Sequence, residues 1–167
     1  GIAVNAALTG HLLLSTLHTN DAPTTLPRLL DMKIEPFLIA STVNIAIGQR
    51  LVRKICPDCK AKKEITADEL KSLTSVLPPK ILGDNKTFYY GAGCSTCDKS
   101  GYRGRVGIYE VLEMDDEIRM ALMRNADASE IKKIAVKSGM TTMIEDGFKK
   151  TVEGITTIEE ILRVIHE

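Results

Sequence analysis

Two short motifs, Cys56-Pro57-Asp58-Cys59 and Cys94-Ser95-Thr96-Cys97, contain all four cysteines of this 167-residue chain. In each motif, the two intervening residues allow both sulfur atoms to face one ion, and a tetrahedral Zn²⁺ takes two such pairs as its complete set of ligands. The spacing therefore predicts a four-thiolate zinc site with a structural role, since no coordination position is left open for chemistry.

Residues 60–93 separate the two motifs, a longer gap than the roughly 15–20 residues of an ordinary zinc ribbon. Within this gap, Thr66 and Glu69 predict the start of a short helix that ends before Pro78-Pro79. Two other uses of the cysteines remain open. Disulfide bonds are disfavoured because no secretory context is evident in the sequence, and redox-active thiols because neither pair opens a helix of a thioredoxin-like unit.

The composition is that of an ordinary globular protein, with 44% hydrophobic and 26% charged residues. Lys and Arg together number 22, as do Asp and Glu, so the formal net charge is zero and no general field attracts nucleic acid or anionic lipid. The apolar runs are shorter than the roughly 20 residues that cross a bilayer. We therefore expect a soluble, cytosolic chain that binds no nucleic acid.

The first 48 residues predict a piece of an α/β domain. Residues 2–8 are typical of the later turns of a helix, so we expect the sequence to begin within a domain. Residues 11–18 predict a strand that is apolar on both faces, as in parallel sheets covered by helices. A helix should follow Pro23, with a late start or a kink at Pro27. A second helix should follow Pro36 and carry Ile39, Val43 and Ile47.

The remainder predicts one more strand, at residues 106–112, and then helices only. Four helix starts are indicated by an acidic or hydroxyl residue, alone or with a glutamate three positions later, namely Asp115-Asp116, Asp127 with Glu130, Thr142 with Glu145, and Thr156 with Glu159. Gly139 and Gly154 predict two of the helix ends. In the last helix, Ile158, Ile161, Leu162 and Ile165 form a stripe at helical spacing. We expect these helices to pack as a small bundle.

Two of the three histidines, His11 and His18, stand at the ends of the first predicted strand. The carboxyl ends of parallel strands are where α/β folds bind ligands, so His18 is the better candidate for a functional site. A structural histidine bonded to a backbone carbonyl is the alternative. No G-x-x-x-x-G-K-[ST] phosphate loop occurs in the sequence, so no nucleotide-binding residues are identified.

The stretch Ala6 to Ala22, with both histidines, resembles the histidine box of the type II secretion and type IV pilus assembly ATPases. The resemblance extends over essentially the whole chain through further motifs in the family's order, which are Arg28-Leu29-Leu30-Asp31-Met32, Glu35-Pro36-Phe37, Gln49-Arg50-Leu51-Val52-Arg53, both cysteine pairs, Gly101-Tyr102-Arg103-Gly104-Arg105 and Gly107-Ile108-Tyr109-Glu110. The four-cysteine insertion is similar to that of the extension and secretion ATPases, because retraction ATPases generally lack it.

The resemblance implies the C-terminal part of a RecA-like hexameric ATPase at the cytoplasmic face of the inner membrane, peripherally attached through partners. There it would couple ATP hydrolysis to pilin or pseudopilin assembly through a membrane platform protein. Cys56, Cys59, Cys94 and Cys97 would be the zinc ligands, and His11 and His18 would support catalysis. ATP and Mg²⁺ would bind mainly to family segments upstream of this chain, so the chain alone should not hydrolyse ATP.

Four regions follow from this interpretation. Residues 1–53 would be a partial RecA-like core, 54–102 an inserted zinc module, 103–114 a returning core strand, and 115–167 a C-terminal helical subdomain. The alternative function is a zinc-ribbon module that binds nucleic acid or acts as an adaptor. That alternative leaves the histidine box unexplained.

Overall fold

The computed structural model describes residues 2–64 and 87–166. The helices are α1 (Ile2–Leu8), α2 (Thr25–Asp31), α3 (Pro36–Thr42), α4 (Asp116–Met123), α5 (Ala128–Lys137), α6 (Met143–Val152) and α7 (Ile158–His166). The strands are β1 (Ile45–Ile55), β2 (Lys60–Glu64), β3 (Thr87–Gly91) and β4 (Tyr102–Glu113). The helix predicted from Thr66 and Glu69 lies outside the described residues. None of the helices described is long and apolar enough to span a bilayer.

The chain divides into two compact units, each built from two separate stretches of sequence. The first unit contains Gly1–Gly48 and Glu110–Thr142, and the second contains Gln49–Tyr109 and Met143–Glu167. Helices α4 and α5 thus belong to the first unit, and α6 and α7 to the second. The four regions and the single C-terminal bundle drawn from the sequence stay predictions.

Strands β1 and β4 pair with each other, and each of them contributes residues to both units. Met114 N donates to the carbonyl of Asn44 over 2.9 Å, and Cys56 N donates to the carbonyl of Gly101 over 2.9 Å. Since the start of one strand meets the end of the other, the pair is antiparallel. The strand predicted at residues 106–112 is confirmed, but its alternate residues are exposed, as expected for a sheet with one covered face.

The strand predicted at residues 11–18 is wrong. Residues 11–19 have no regular secondary structure, and the side chains of Leu12 and Leu14 are each 90% exposed. A strand needs a neighbour to satisfy its backbone groups, and no strand described here pairs with this segment. Apolar residues alone therefore did not suffice to predict a strand.

The two helices predicted to follow Pro23 and Pro36 are confirmed, with different limits. Helix α2 begins at Thr25, which is the late start predicted from Pro27. Helix α3 ends at Thr42, because Val43 already has an extended backbone. Ile47, predicted on this helix, instead lies in β1. Its β-branched side chain fits the pleated strand that follows.

The core of the first unit lies between α2, α3, α4, α5 and the end of β4. Its fully buried large side chains are Leu26, Ile39, Leu112, Ile118, Leu122 and Ile131. The helix starts predicted at Asp115-Asp116 and at Asp127 are confirmed, since the Asp115 carboxyl accepts from Ile118 N over 2.8 Å and the Asp127 carboxyl accepts from Glu130 N over 2.8 Å. Each cap satisfies an amide that the helix itself leaves without a partner.

The core of the second unit lies between the sheet and the last two helices, with Val52, Ile108, Met143, Ile161 and Val164 buried. The start of α7 differs by one residue from the prediction. Thr157 Oγ1, and not that of Thr156, accepts from the backbone N–H of Glu160 over 3.3 Å. The buried face is displaced with it, so Glu160 and Val164 are buried while Ile158 and Leu162 are only half-buried.

Candidate metal centre

A β-hairpin brings the two cysteine motifs together. Strands β2 and β3 pair in antiparallel fashion, from Lys60 opposite Gly91 to Glu64 opposite Thr87. The first motif forms a 3-10 turn, Pro57–Cys59, directly before β2, and the second forms a 3-10 turn, Ser95–Cys97, shortly after β3. Both motifs therefore stand at the same end of the hairpin, where Ala92 N donates to the carbonyl of Cys59 over 2.9 Å.

The four sulfur atoms lie at the distances that a tetrahedral metal requires. All four Sγ atoms are within 4.8 Å of one another, and the Cys56–Cys94 and Cys59–Cys97 Sγ distances are both 3.8 Å. A tetrahedron with metal–sulfur bonds of about 2.3 Å has edges of about 3.8 Å. A disulfide bond would need about 2.05 Å, and all four cysteines are free, so the disulfide alternative is wrong. The four thiols could thus hold a metal ion.

Backbone amides donate hydrogen bonds to two of the sulfur atoms, and Cys59 Sγ accepts from Gly93 N over 3.3 Å. Cys97 Sγ accepts from the N–H groups of Cys94, at 3.2 Å, and Gly101, at 3.3 Å. These hydrogen bonds, led by that of Cys94, lower the pKa of the Cys97 thiol to about 6. Burial raises the pKa of Cys59 to about 12 and also raises that of Cys56. Cysteine binds metal as the thiolate, so the amides that donate to Cys97 Sγ favour the form of this residue that binds a metal ion.

Two glycines allow the chain to cross itself beside the second motif. A Cβ atom on Gly91 would lie 2.0 Å from the carbonyl oxygen of Gly101, and one on Gly101 would lie 2.5 Å from that of Gly91. The same Gly101 carbonyl accepts the hydrogen bond from Cys56 N. Any side chain at either position would displace the backbone that holds the first and the last cysteine. No local pattern in the sequence indicates this crossing, because the two glycines meet only in the folded chain.

The hairpin packs against α6 of the second unit. Phe88 in β3 and Phe148 in α6 are both buried, with 3% and 2% of their surface exposed. The centroids of their rings lie 5.7 Å apart. Lys60 Nζ lies 4.3 Å from the centre of the Tyr89 ring, at a distance typical of a cation–π contact. The hairpin therefore packs against α6 through Phe88.

A buried carboxylate joins the first strand to α7. Glu160 has a side chain that is 1% exposed, and it accepts hydrogen bonds from Arg53 NH2 at 2.5 Å, from Arg53 N at 2.9 Å and from Arg163 Nε at 3.0 Å. Burial alone would raise the pKa of Glu160, but the hydrogen bonds from Arg163 and Arg53 outweigh it and lower the pKa to about 2. Arg163 lies only three positions from Glu160, but Arg53 lies 107 positions away, so no local pattern in the sequence indicates this site.

The low pKa of Glu160 predicts an acid-sensitive contribution to stability. A carboxylate whose pKa falls from 4.5 to about 2 on folding stabilises the fold above pH 4.5, and this contribution is lost as the pH falls towards 2. We expect Glu160→Gln to lower the free energy of unfolding by roughly 2–3 kcal/mol at pH 7, and by about half as much at pH 3. Urea titrations of the wild-type protein and the variant at the two pH values measure this difference.

Comparing the variant with the wild-type protein at each pH removes the effects of pH that the two proteins share. Glu159→Gln is the matched control, because Glu159 is the preceding residue and its side chain is 69% exposed. We expect a change within about 0.5 kcal/mol for this control. An equal loss of stability at pH 3 and pH 7 for Glu160→Gln would show that the hydrogen-bonded charge is not the cause.

The two histidines lie in the first unit, in the segment without regular structure. His11 and His18 are both exposed, and His11 Nδ1 lies 2.9 Å from Thr9 Oγ1. Of the residues predicted to form sites, the structure brings together the four cysteines. The role of the histidines stays a prediction.

Comparison with known proteins gives matches along nearly the whole chain. The family described as "Type II/IV secretion system protein" matches residues 1–163. The chain is 46% identical over 161 residues to the type IV pilus assembly ATPase PilB of Myxococcus xanthus, covering 96% of this chain and 28% of that protein. It is 44% identical over 170 residues to the type II secretion system protein E of Pseudomonas aeruginosa, covering 99% of this chain and 32% of that protein. The chain therefore spans about three tenths of the length of these relatives.

Proposed function

This chain belongs to the type II/IV secretion system protein family, and from this membership we propose that it forms the C-terminal part of an ATPase that powers pilin or pseudopilin assembly. The observation that carries the proposal is the identity of 46% and 44% to proteins named for pilus assembly and type II secretion, over almost the entire chain. In the full-length protein, ATP and Mg²⁺ are the cofactors of turnover.

The proposed motor is a hexamer of the full-length chain at the cytoplasmic face of the inner membrane. It is attached there through an inner-membrane platform protein, to which it transmits the movement that each ATP produces. His11 and His18, as parts of the histidine box, help couple the nucleotide state to the position of the domains. Their exposure in the segment at residues 11–19 supports this role, because side chains that meet a nucleotide or a neighbouring subunit must be accessible.

The metal that we propose for the cysteine site is Zn²⁺. The four thiols and the tetrahedral sulfur spacing suit this ion, and with all four positions taken by sulfur it has a structural role. We further propose that the hairpin it fixes contacts the platform protein or a neighbouring subunit.

We expect the 167-residue chain to have no ATPase activity of its own, because its sequence contains no phosphate loop. Phosphate release from ATP should equal the buffer background for the isolated chain, and exceed it for the full-length protein with Mg²⁺. Full-length protein that remained inactive in its assembled, membrane-attached form would contradict the proposed function. Activity of the isolated chain at the rate of the full-length protein would contradict the proposal that ATP binds mainly outside this chain.

A genetic test separates the two pathways and the role of the hairpin. The full-length gene is deleted and restored in the source organism, and surface pili and secreted enzymes are measured. A full-length variant with Cys56, Cys59, Cys94 and Cys97 changed to serine should fail to restore function. Normal pili or secretion with this variant would contradict a role of the metal-held hairpin.

A further inference from the structure

The carboxyl group of Glu110 is buried in the first unit and holds the segment that follows His18. Glu110 lies on β4 and is 2% exposed. Its Oε1 accepts a 2.6 Å hydrogen bond from the backbone N–H of Ala22, 88 positions away in the sequence. Burial of a carboxyl group is unfavourable unless its oxygens are hydrogen-bonded, and an apolar side chain would fill the same volume with less desolvation. The contact with Ala22 is therefore one reason for an acidic residue at this position.

The paired strand β1 leaves room for this contact at Gly48. A Cβ atom at Gly48 would lie 2.9 Å from Cγ of Glu110 and 3.0 Å from both Glu110 Oε1 and Ala22 N. A single added methyl group would thus press on the donor and the acceptor at once. Gly48, Glu110 and Ala22 form one arrangement, which we call the Glu110 clamp.

Further polar contacts hold the same short segment. The Asp21 carboxyl accepts from Thr24 N over 2.9 Å, and Lys132 Nζ of α5 lies 3.5 Å from the other Asp21 oxygen. By contrast, residues 11–19 have no regular structure. The clamp therefore attaches Ala22, four positions after His18, to β4, at the end of a segment without regular structure.

We propose that Glu110 is a positioning residue, which holds Ala22 and thereby places His18 where it acts in ATP turnover. This inference rests on the proposed function, in which the histidine box couples nucleotide state to domain position. Most contacts to ATP belong to segments outside this chain, so loss of the clamp lowers kcat and leaves KM for ATP nearly unchanged. A misplacement of about 1 Å can lower a rate by orders of magnitude.

The test uses the full-length protein and variants that separate the hydrogen bond from the charge. Glu110→Gln retains an acceptor, because the amide oxygen takes the place of Oε1. Glu110→Asp shortens the side chain by one carbon–carbon bond, about 1.5 Å, and no longer reaches Ala22 N. Gly48→Ala disturbs the clamp from the opposite strand. Glu113→Asp is the matched control, since Glu113 lies on the same strand and is exposed.

We expect Glu110→Asp and Gly48→Ala to lower kcat by about tenfold or more, with KM for ATP within about twofold of the wild type. Glu110→Gln should keep at least about half of the wild-type kcat, and Glu113→Asp should match the wild type. Hydrogen exchange in a peptide covering residues 18–26 should accelerate in the first two variants only. A thermal unfolding curve for each variant identifies any that fail to fold, and Glu110→Gln and Gly48→Ala allow the test to stand if Glu110→Asp is among them.

Different results would overturn different statements. An active wild-type protein whose Glu110→Asp variant keeps full kcat would overturn the inference alone. The same holds if Glu110→Gln is as impaired as Glu110→Asp, since the charge and not the hydrogen bond would then matter. A full-length protein without any ATPase activity would overturn the proposed function. In that case, hydrogen exchange at residues 18–26 that is unchanged in Glu110→Asp and Gly48→Ala would separately show that the Glu110 clamp does not hold this segment.

Discussion

Removal of the proposed Zn²⁺ is expected to unfold the hairpin formed by β2 and β3. Structural zinc sites contribute an apparent 10–16 kcal/mol of binding free energy at neutral pH, and this binding energy becomes folding energy when the site does not exist in the unfolded chain. Because Cys56 and Cys97 are both buried beside the sheet, their release exposes the base of the hairpin. We expect a strong chelator to lower the unfolding temperature by about 10 °C or more.

Hydrogen exchange locates the effect. After chelation, amides at residues 56–64 and 87–102 should lose protection, whereas amides of α4 and α5 should keep theirs, because those helices pack in a different core. Cys59→Ser should reproduce the effect of the chelator, and Ser95→Ala, a change in a motif residue that is not a ligand, should not. An unchanged unfolding temperature after complete loss of the metal would contradict a structural role.

Loss of the Phe148 ring is the second large expected effect. Phe148 is almost fully buried on α6 and meets Phe88 of the hairpin at an interplanar angle of 58°. Truncation of a buried phenylalanine to alanine costs about 3–5 kcal/mol, part of it from the cavity that remains. We expect Phe148→Ala to lower the free energy of unfolding by this amount in urea titrations of the metal-bound protein.

Lys149→Ala provides the matched control, because Lys149 is the next residue of the same helix and is exposed. We expect a change within about 0.5 kcal/mol for it. A double-mutant cycle with Phe88→Ala measures the contact itself, and a coupling of about 0.5–1.5 kcal/mol is expected for the tilted pair of rings. Additive losses, with no coupling, would show that the hairpin does not rest on α6 through these rings.

The predictions that succeeded depend on residues close together in the sequence. The caps at Asp115 and Asp127 join a side chain to an amide three positions later, so the local pattern contains both partners. The cysteine spacing is local within each motif, and zinc chemistry relates the two motifs to each other. For the same reason, Gly139 and Gly154 were identified as the residues where two helices end, and both have a positive φ.

The predictions that failed depend on partners far away in the sequence. Residues 11–18 have the composition of a buried strand, but a strand forms only beside another strand, and the pattern cannot say whether one is present. Glu110 and Glu160 have polar partners 88 and 107 positions away, which no spacing rule reveals. Gly91 is needed only because Gly101 crosses it. Such residues can be identified once the fold places their partners.

The central claim, a metal held by four thiolates, is tested most directly by elemental analysis of the purified chain combined with titration of its accessible thiols. The account predicts one zinc ion per chain and no thiol that reacts with a disulfide reagent until a chelator or a denaturant is added, after which all four cysteines react. A protein free of metal whose four thiols react under native conditions would contradict the account.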